Sequence, residues 1–267
     1  MKRVLLSLCM LSFSALAFGQ SPFDGTWKID LESAKFQQRP THYLLQNGMF
    51  QCVSCVHMKI NVKADGKDQP LQSDGTSSAY ADHVNVRVVD ENSVNFTYKL
   101  KGQVMSEEDD TVSADGNSMS QKNADYSEDR ANPAKDEWEF TRVSAGPAGA
   151  HKISGEWRAT KISNVTSNES SLTFQSTPNG IKMTDPNGWG FDAKFDGKPV
   201  AAMKDPGHTM VTLKKVDDRT IEVTQNRAGK VVGIMKVQVA ADGTTMQTDF
   251  SDPSAPGSNQ VVDWKKQ

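Results

Sequence analysis

The chain has 267 residues, 30 Lys and Arg against 33 Asp and Glu, a formal net charge of −3, 36% hydrophobic residues and three cysteines. That balance disfavours nucleic acid and anionic lipid surfaces, which select basic proteins. The length suffices for one large domain or two small ones.

Residues 1–19 read as a signal peptide. Lys2 and Arg3 precede an apolar run from Val4 to Leu11, and small residues follow as far as Ala17 and Gly19. A basic start, a short apolar stretch and a small-residue cleavage site come in that order in secretory leaders. The run is shorter than the roughly 20 apolar residues of a membrane helix, and no transmembrane segment is expected later in the chain. The expected product is an exported bacterial protein, periplasmic or extracellular, that has lost Cys9, Lys2 and Arg3 and carries a formal charge of about −5.

The rest of the chain is written twice. FDGTWKIDLESAKF begins at Phe23 and ISGEWRATKI at Ile153, which sets Trp27 and Trp157 130 residues apart. Residues 86–120 align with 211–247 through a strand, an acidic turn, a strand, a Gly turn, a long strand and Ala-Asp-Gly. In that alignment Glu107 to Asp110 face Gly233-Ile234-Met235-Lys236, and the halves close on Trp138 and Trp264. A repeat of this length is a duplicated domain rather than a solenoid unit. The stretch SAGPAGAHK, 144–152, has the composition of a linker. The expected division is therefore 20–143 for the first repeat, 144–152 for the linker and 153–267 for the second repeat.

Within each half the apolar period is two. Val84, Val86 and Val88 alternate with polar neighbours, as do Val94, Phe96, Tyr98 and Leu100, and Val231, Gly233, Met235, Val237 and Val239. Such alternation marks strands with one buried face, and frequent Asp-Gly and Asn-Gly pairs suit tight hairpins. Consecutive hairpins must hide their edge strands, and closure into an up-and-down barrel does so. The expected fold is all-β, two tandem antiparallel up-and-down β-barrels of about eight or nine strands each. One continuous sandwich built from both halves is the alternative.

Chemistry-bearing motifs are few. Cys52-Val53-Ser54-Cys55-Val56-His57 falls opposite MTDPNG in the second half, a turn between strands, so a short disulfide stapling a hairpin end is the expectation. A thiol-redox role would need a helix N-terminus after the first cysteine, and none is predicted. Haem attachment needs the histidine directly after the second cysteine. Zinc would need Cys52, Cys55, His57 and distant His42 brought together. The acidic run Glu107–Asp110 lacks the spacing of a calcium loop and reads as a solvated or ligand-facing patch. No nucleophile elbow, phosphate loop or dinucleotide fingerprint is present, so no catalytic residue, metal or cofactor is assigned. Trp189 has no counterpart in the first half and shares a face with Phe191, Ala193 and Phe195.

The Gly-x-Trp of FDGTWKID, repeated in SGEWRAT, resembles the opening of the lipocalins and fatty-acid-binding proteins, the calycin group. The resemblance implies a lipocalin-like barrel enclosing one small hydrophobic ligand. Over nearly its full length the chain is similar to a set of uncharacterised exported bacterial proteins. The shared residues are GTWK and AKF at 25–28 and 34–36, the NGMF-C-SC block at 47–69, VSADG at 112–116, and the junction at 146–157. The expected function is non-catalytic binding of a small apolar or amphipathic ligand. Phe96, Tyr98, Trp189, Phe191 and Met235 are the candidate lining residues, named from alternation alone. The alternatives are a ligand-free structural or interaction module of the cell envelope and, more weakly, a redox protein using Cys52 and Cys55.

Overall fold

Alternation along the chain does produce strands, and among the described residues they are the only regular elements. The computed structural model describes residues 21–76 and 80–267; the expected leader and Cys9 lie outside them. The first half supplies β1 Gly25–Gln37, β2 Thr41–Gln46, β3 Met49–Cys52, β4 Met58–Lys63, β5 Asp65–Pro70 and β6 Gln72–Ser73. It continues with β7 His83–Val88, β8 Ser93–Leu100, β9 Gln103–Val112, β10 Ser118–Asp125 and β11 Ala134–Ala145. The second half supplies β12 Gly155–Ser163, β13 Ser171–Thr177, β14 Gly180–Thr184, β15 Gly190–Lys194 and β16 Val200–Ala201. It ends with β17 Met210–Asp217, β18 Thr220–Arg227, β19 Lys230–Val239, β20 Thr245–Ser251 and β21 Asn259–Lys266. Among the described residues no helix is long and apolar enough to cross a membrane.

Two separate antiparallel sheets result, so the single sandwich is excluded. One runs β5-β7-β8-β9-β10-β11-β12-β2-β3-β4-β6 and the other β15-β14-β13-β1-β21-β20-β19-β18-β17-β16. Each curls into a nearly closed barrel. Setting aside the two-residue edge pieces β6 and β16 leaves ten strands in the first barrel and nine in the second, against the expected eight or nine.

The barrels do not follow the sequence boundaries. β1 lies between β13 and β21, with Trp27 opposite Leu172 and Ile29 opposite Trp264. β12 lies between β11 and β2, with Phe140 opposite Ala159 and Trp157 opposite Thr41. Each repeat thus lends its first strand to the other's barrel, and the division at 20–143 and 153–267 is corrected accordingly. The physical reason is local. β1 is 13 residues long, and no Asn-Gly or Asp-Gly pair interrupts it to turn it back on β2. The chain instead leaves one barrel and enters the other, with Phe36 already packed on Trp138 at 4.9 Å. The segment 144–152 is likewise no spacer between barrels. Ser144 and Ala145 belong to β11, and the remainder is the tight β11–β12 connection, closed by Gly146 N–H donating to Ser154 O at 3.1 Å.

The duplication recurs in the packing. Trp27 and Trp157 are fully buried, and each indole N–H donates to the carbonyl four residues upstream, Phe23 O at 2.8 Å and Ile153 O at 2.7 Å. Lys266 covers the Trp27 ring at 5.1 Å and Arg142 the Trp157 ring at 3.9 Å. Burying an indole face of roughly 200 Å² stabilises by about 5 kcal/mol, so the lent strands are integral to both cores. Gly155 shows why the motif begins with glycine: its φ is +127° and a Cβ there would lie 2.3 Å from Ser144 O. Strand register also corrects one pairing read from sequence. Met119 faces Phe140 and Met246 faces Trp264, so Trp264 corresponds to Phe140 and not to Trp138.

Candidate functional site

The pleat of β9 splits the acidic run Glu107–Asp110 between two environments. Glu107 and Asp109 face outward, where Glu107 accepts from Tyr126 O–H at 3.0 Å and Asp109 from Asn95 Nδ2 at 2.9 Å. Glu108 and Asp110 share the phase of buried Val112 and face the barrel interior. On one side they stand opposite Phe96 and Val94 of β8, on the other opposite Asn123 and Gln121 of β10. Tyr43 of β2 and Tyr98 of β8 bring two phenols to the same region.

Asp110 is 1% exposed. Its Oδ1 accepts from Gln121 Nε2 at 3.0 Å, no N–H or hydroxyl reaches its buried Oδ2, and the carboxyl of Glu108 is its hydrogen-bonding neighbour when one of the pair is protonated. Burial pushes the Asp110 carboxyl up to about 7. The Glu108 carboxyl is raised well above its usual range, first by burial and then by the like charge of Asp110. Glu108, Tyr43 and Tyr98 keep part of their surface in contact with solvent. Burial is nonetheless the largest cause of each shift, because their polar ends are the parts held inside. The two phenols are also raised well above their usual range, by burial and then by the charges of Glu108 and Asp110. Asn123 Nδ2 donates to Asp136 Oδ1 at 2.7 Å, and Asp136 is raised by burial too. The charged groups acting on the pair are all acidic, and no lysine or arginine is among them. The arrangement can hold a shared proton and can accept hydrogen bonds.

The second barrel is an internal control. Val112 faces Met119 and Val239 faces Met246, which places Asp110 against Val237, Glu108 against Met235 and Asn123 against Phe250. The alignment of Glu107–Asp110 with Gly233–Lys236 is therefore one residue out of register. The second interior is apolar where the first is acidic. Its Thr248, at the place of Gln121, accepts from Trp264 Nε1 at 2.9 Å.

A cavity of about 150 Å³ opens beside this cluster, lined among others by Met58, Tyr80, Tyr98, Met105, Ser106 and Asp125. Tyr98 belongs to both cavity and cluster, and Ser106 lies two residues from Glu108 on β9. On the far side Tyr80 O–H donates to Asp205 Oδ1 of the second barrel at 2.5 Å. The larger depression of about 750 Å³, between the β13–β14 turn and the segment up to Val200, is an open groove among turn residues. Nothing converges there, and we place no site in it.

The sequence-derived lining residues are divided between the barrels. Phe96 and Phe191 are fully buried in the first and second core, Tyr98 packs on the first, and Trp189 and Met235 pack on the second. They line no common pocket, because each strand lends its inward face to its own barrel. Of the five, Tyr98 reaches the cavity. Glu108 and Asp110 were read only as part of a solvated or ligand-facing patch, and Gln121 and Tyr43 were not named. The signal lay in the sequence: Glu108 and Asp110 are in phase with Val112, and treating four acids as one patch concealed which two face inward.

Cys52 and Cys55 are joined in a disulfide, Cα–Cα 5.5 Å, at the β3–β4 turn, where Val53 N–H donates to His42 O at 2.8 Å. The sulfurs are therefore not free thiolates in this state. His57 turns away from them to bridge the barrels. Its Nδ1 lies 3.0 Å from Thr76 Oγ1 and 3.6 Å from Asp74 Oδ2, its Nε2 2.9 Å from Asp252 Oδ2 and 3.0 Å from Ser254 Oγ. The resemblance to a Ser-His-Asp triad ends at the protons. Ser254 donates to Asp252 Oδ1 at 2.6 Å, and Nε2 faces a carboxylate, so it does not act as base toward the serine. This is a clasp between barrels. Among the described residues no three His, Cys, Asp or Glu side chains are grouped to hold a metal ion. No protein-family model matches the chain, and no curated protein is significantly similar to it.

Proposed function

We propose that this is an exported, non-catalytic binding protein of lipocalin-like build, in which the first barrel takes a small amphipathic molecule and the second is a solid scaffold. The observation that carries the reading is the buried acidic pair Glu108 and Asp110 inside the first barrel, where the second barrel has Met235 and Val237. Burying two carboxyls on one wall costs stability even when they share a proton, and the second barrel avoids that cost with Val237 at the place of Asp110. A group that destabilises the empty barrel is accounted for by a ligand that satisfies it. The adjoining cavity supplies room for a small apolar body, and barrels of as few as eight strands can hold one small ligand. The disulfide suits an oxidising compartment, in keeping with export to the periplasm or beyond.

A second reading, a ligand-free structural module of the envelope, is favoured by how far side chains fill both interiors, with Phe50, Phe96 and Trp157 in one and Trp27, Phe174 and Phe191 in the other. Native mass spectrometry of protein purified from its own compartment separates the two. Added mass that is lost on denaturation is expected for a binding protein. A bare mass would leave the module as the better account.

A further inference from the structure

The protons of the His57 clasp follow from the groups around the ring. On the first-barrel side, Nδ1 lies 3.0 Å from Thr76 Oγ1. Asp74 is held well below the usual carboxylate range, first by the hydrogen bond from the Thr76 hydroxyl, so it is ionised at neutral pH. The hydroxyl proton of Thr76 is therefore committed to Asp74 Oδ1. Thr76 Oγ1 is left as an acceptor, and Nδ1 has to donate to it. On the second-barrel side, Nε2 lies 2.9 Å from Asp252 Oδ2 and 3.0 Å from Ser254 Oγ. Burial raises Asp252, but hydrogen bonds from Ser254 and His57 outweigh it and leave the carboxyl lowered. The Ser254 hydroxyl donates to Asp252 Oδ1 at 2.6 Å, so Nε2 also faces acceptors. Two donating ring nitrogens make an imidazolium ion.

We propose that His57 is a proton-controlled latch: with both ring protons it ties the β20–β21 loop of the second barrel to the first barrel, and on losing one it releases that loop. A neutral ring turns a lone pair either to Asp252 or to Thr76, whose hydroxyl must then abandon Asp74. Either way one hydrogen bond and the ionic attraction of Asp252 are lost. Which side yields is set by the neighbouring charges. Lys230 Nζ, at the β18–β19 turn, meets Asp74 Oδ2 at 3.1 Å, and Arg227 reaches the Thr76 carbonyl at 3.4 Å. Asp74 thus stays fastened to the second barrel without the imidazole. Lys59, two residues on in β4, is exposed. Among the described residues no lysine or arginine forms an ion pair with Asp252, whose other partner, Ser254, lies on its own loop. At the far end of that loop Ser258 Oγ accepts from Arg39 N–H at 3.1 Å, so the latch bears on the connection that carries β1 toward β2. The latch needs no ligand and stands whether or not the first barrel binds one.

The test uses the full mature chain, labelled with nitrogen-15, from about pH 5 to about pH 9, which spans the interval in which histidine changes charge. At the acid end both His57 ring nitrogens should carry protons in long-range proton–nitrogen spectra. As the pH rises, the amide resonances of Asp252, Ser254 and Ser258 should move together with the His57 ring in a single one-proton transition. The ratio of closed to open latch should fall by up to about tenfold per pH unit, the limit for one proton. His57→Gln, which cannot gain a proton, should remove the transition. Asp252→Asn, whose amide can donate to a neutral ring, should keep the loop docked at the alkaline end. Asp110→Val, which removes a buried carboxyl titrating in the same interval, should leave the transition in place. A ring that is neutral at the acid end while the loop is docked, loop amides that stay put while the ring titrates, or a transition that survives His57→Gln would each overturn the latch. Loss of the near-ultraviolet tryptophan signal in step with the transition would reassign it to unfolding of a barrel, which overturns the latch too.

Discussion

Asp110 and Val237 occupy the same place in two barrels, and the difference between them is a testable statement about pH. An exposed aspartate titrates near 3.9, whereas burial holds Asp110 near 7 and raises Glu108 as well. Between those values the folded chain holds protons that the unfolded chain has released. The contribution of the pair to stability is therefore full below about pH 4 and is lost as pH rises through about 7. Asp74, Asp205 and Asp252 act in the opposite sense. Hydrogen bonds from Thr76 hold Asp74 low, and Asp205 and Asp252 are lowered by their own hydrogen bonds against the opposing effect of burial. Their contributions are lost as pH falls below about 4. The thermal midpoint should therefore decline from pH 5 to pH 8.5, and Asp110→Val should flatten that decline and raise the midpoint at the alkaline end. Parallel curves for wild type and variant would show that Asp110 is not held protonated. The alternation that places this residue was legible in the sequence. Its surroundings were not, because no pattern along one strand reports which groups the strands opposite supply.

At the level of single elements the reading from sequence came closest. The staple at Cys52 and Cys55 was expected from the turn that replaces it in the other half, and the structure has it at the β3–β4 turn. A loop this short constrains the unfolded chain only modestly, by about 2 kcal/mol in the chain-entropy model. Replacing both cysteines by serine should lower stability by about that amount in urea or guanidinium titrations and leave the fold intact. Val53 N–H to His42 O and His42 N–H to Ser54 Oγ, at 2.8 and 2.9 Å, still tie the turn to β2. Collapse of the fold in the double variant would mean that the bond organises the barrel rather than trimming its unfolded state. Register was less legible than the elements themselves. The bulge between Tyr98 and Lys99 recurs between Gln225 and Asn226. Such an inserted residue shifts which side chains face inward without changing the hydrophobic count, so inward phase could not be read from alternation alone.

The exchange of β1 and β12 belongs to the whole molecule, and the sequence could not reveal it because both strands open on the same Gly-x-Trp. Either strand suits either slot, so the choice is settled by connections rather than by composition. β1 stays paired with β21 from Lys35, opposite Val261, to Gln37, opposite Asn259, and Pro40 fixes an extended approach to β2. Folding back on its own half would turn residues 28–40 into a loop. The closure cost of such a loop is only about 2 kcal/mol, but the pairing with β21 and the contact of Phe36 with Trp138 would be lost too. Each half produced alone, cut at the exposed turn between Ala148 and Gly149, therefore lacks the tryptophan strand that completes its barrel. Separately, 21–148 and 149–267 should be poorly folded, with weak near-ultraviolet tryptophan signals. Mixed and refolded together, they should form a one-to-one complex with the signal of the intact chain, through two reciprocal strand exchanges. Two independent monomers, each unfolding cooperatively, would instead show that either repeat can close on its own first strand. The observed exchange would then follow from tethering the halves in one chain rather than from any preference of the strands.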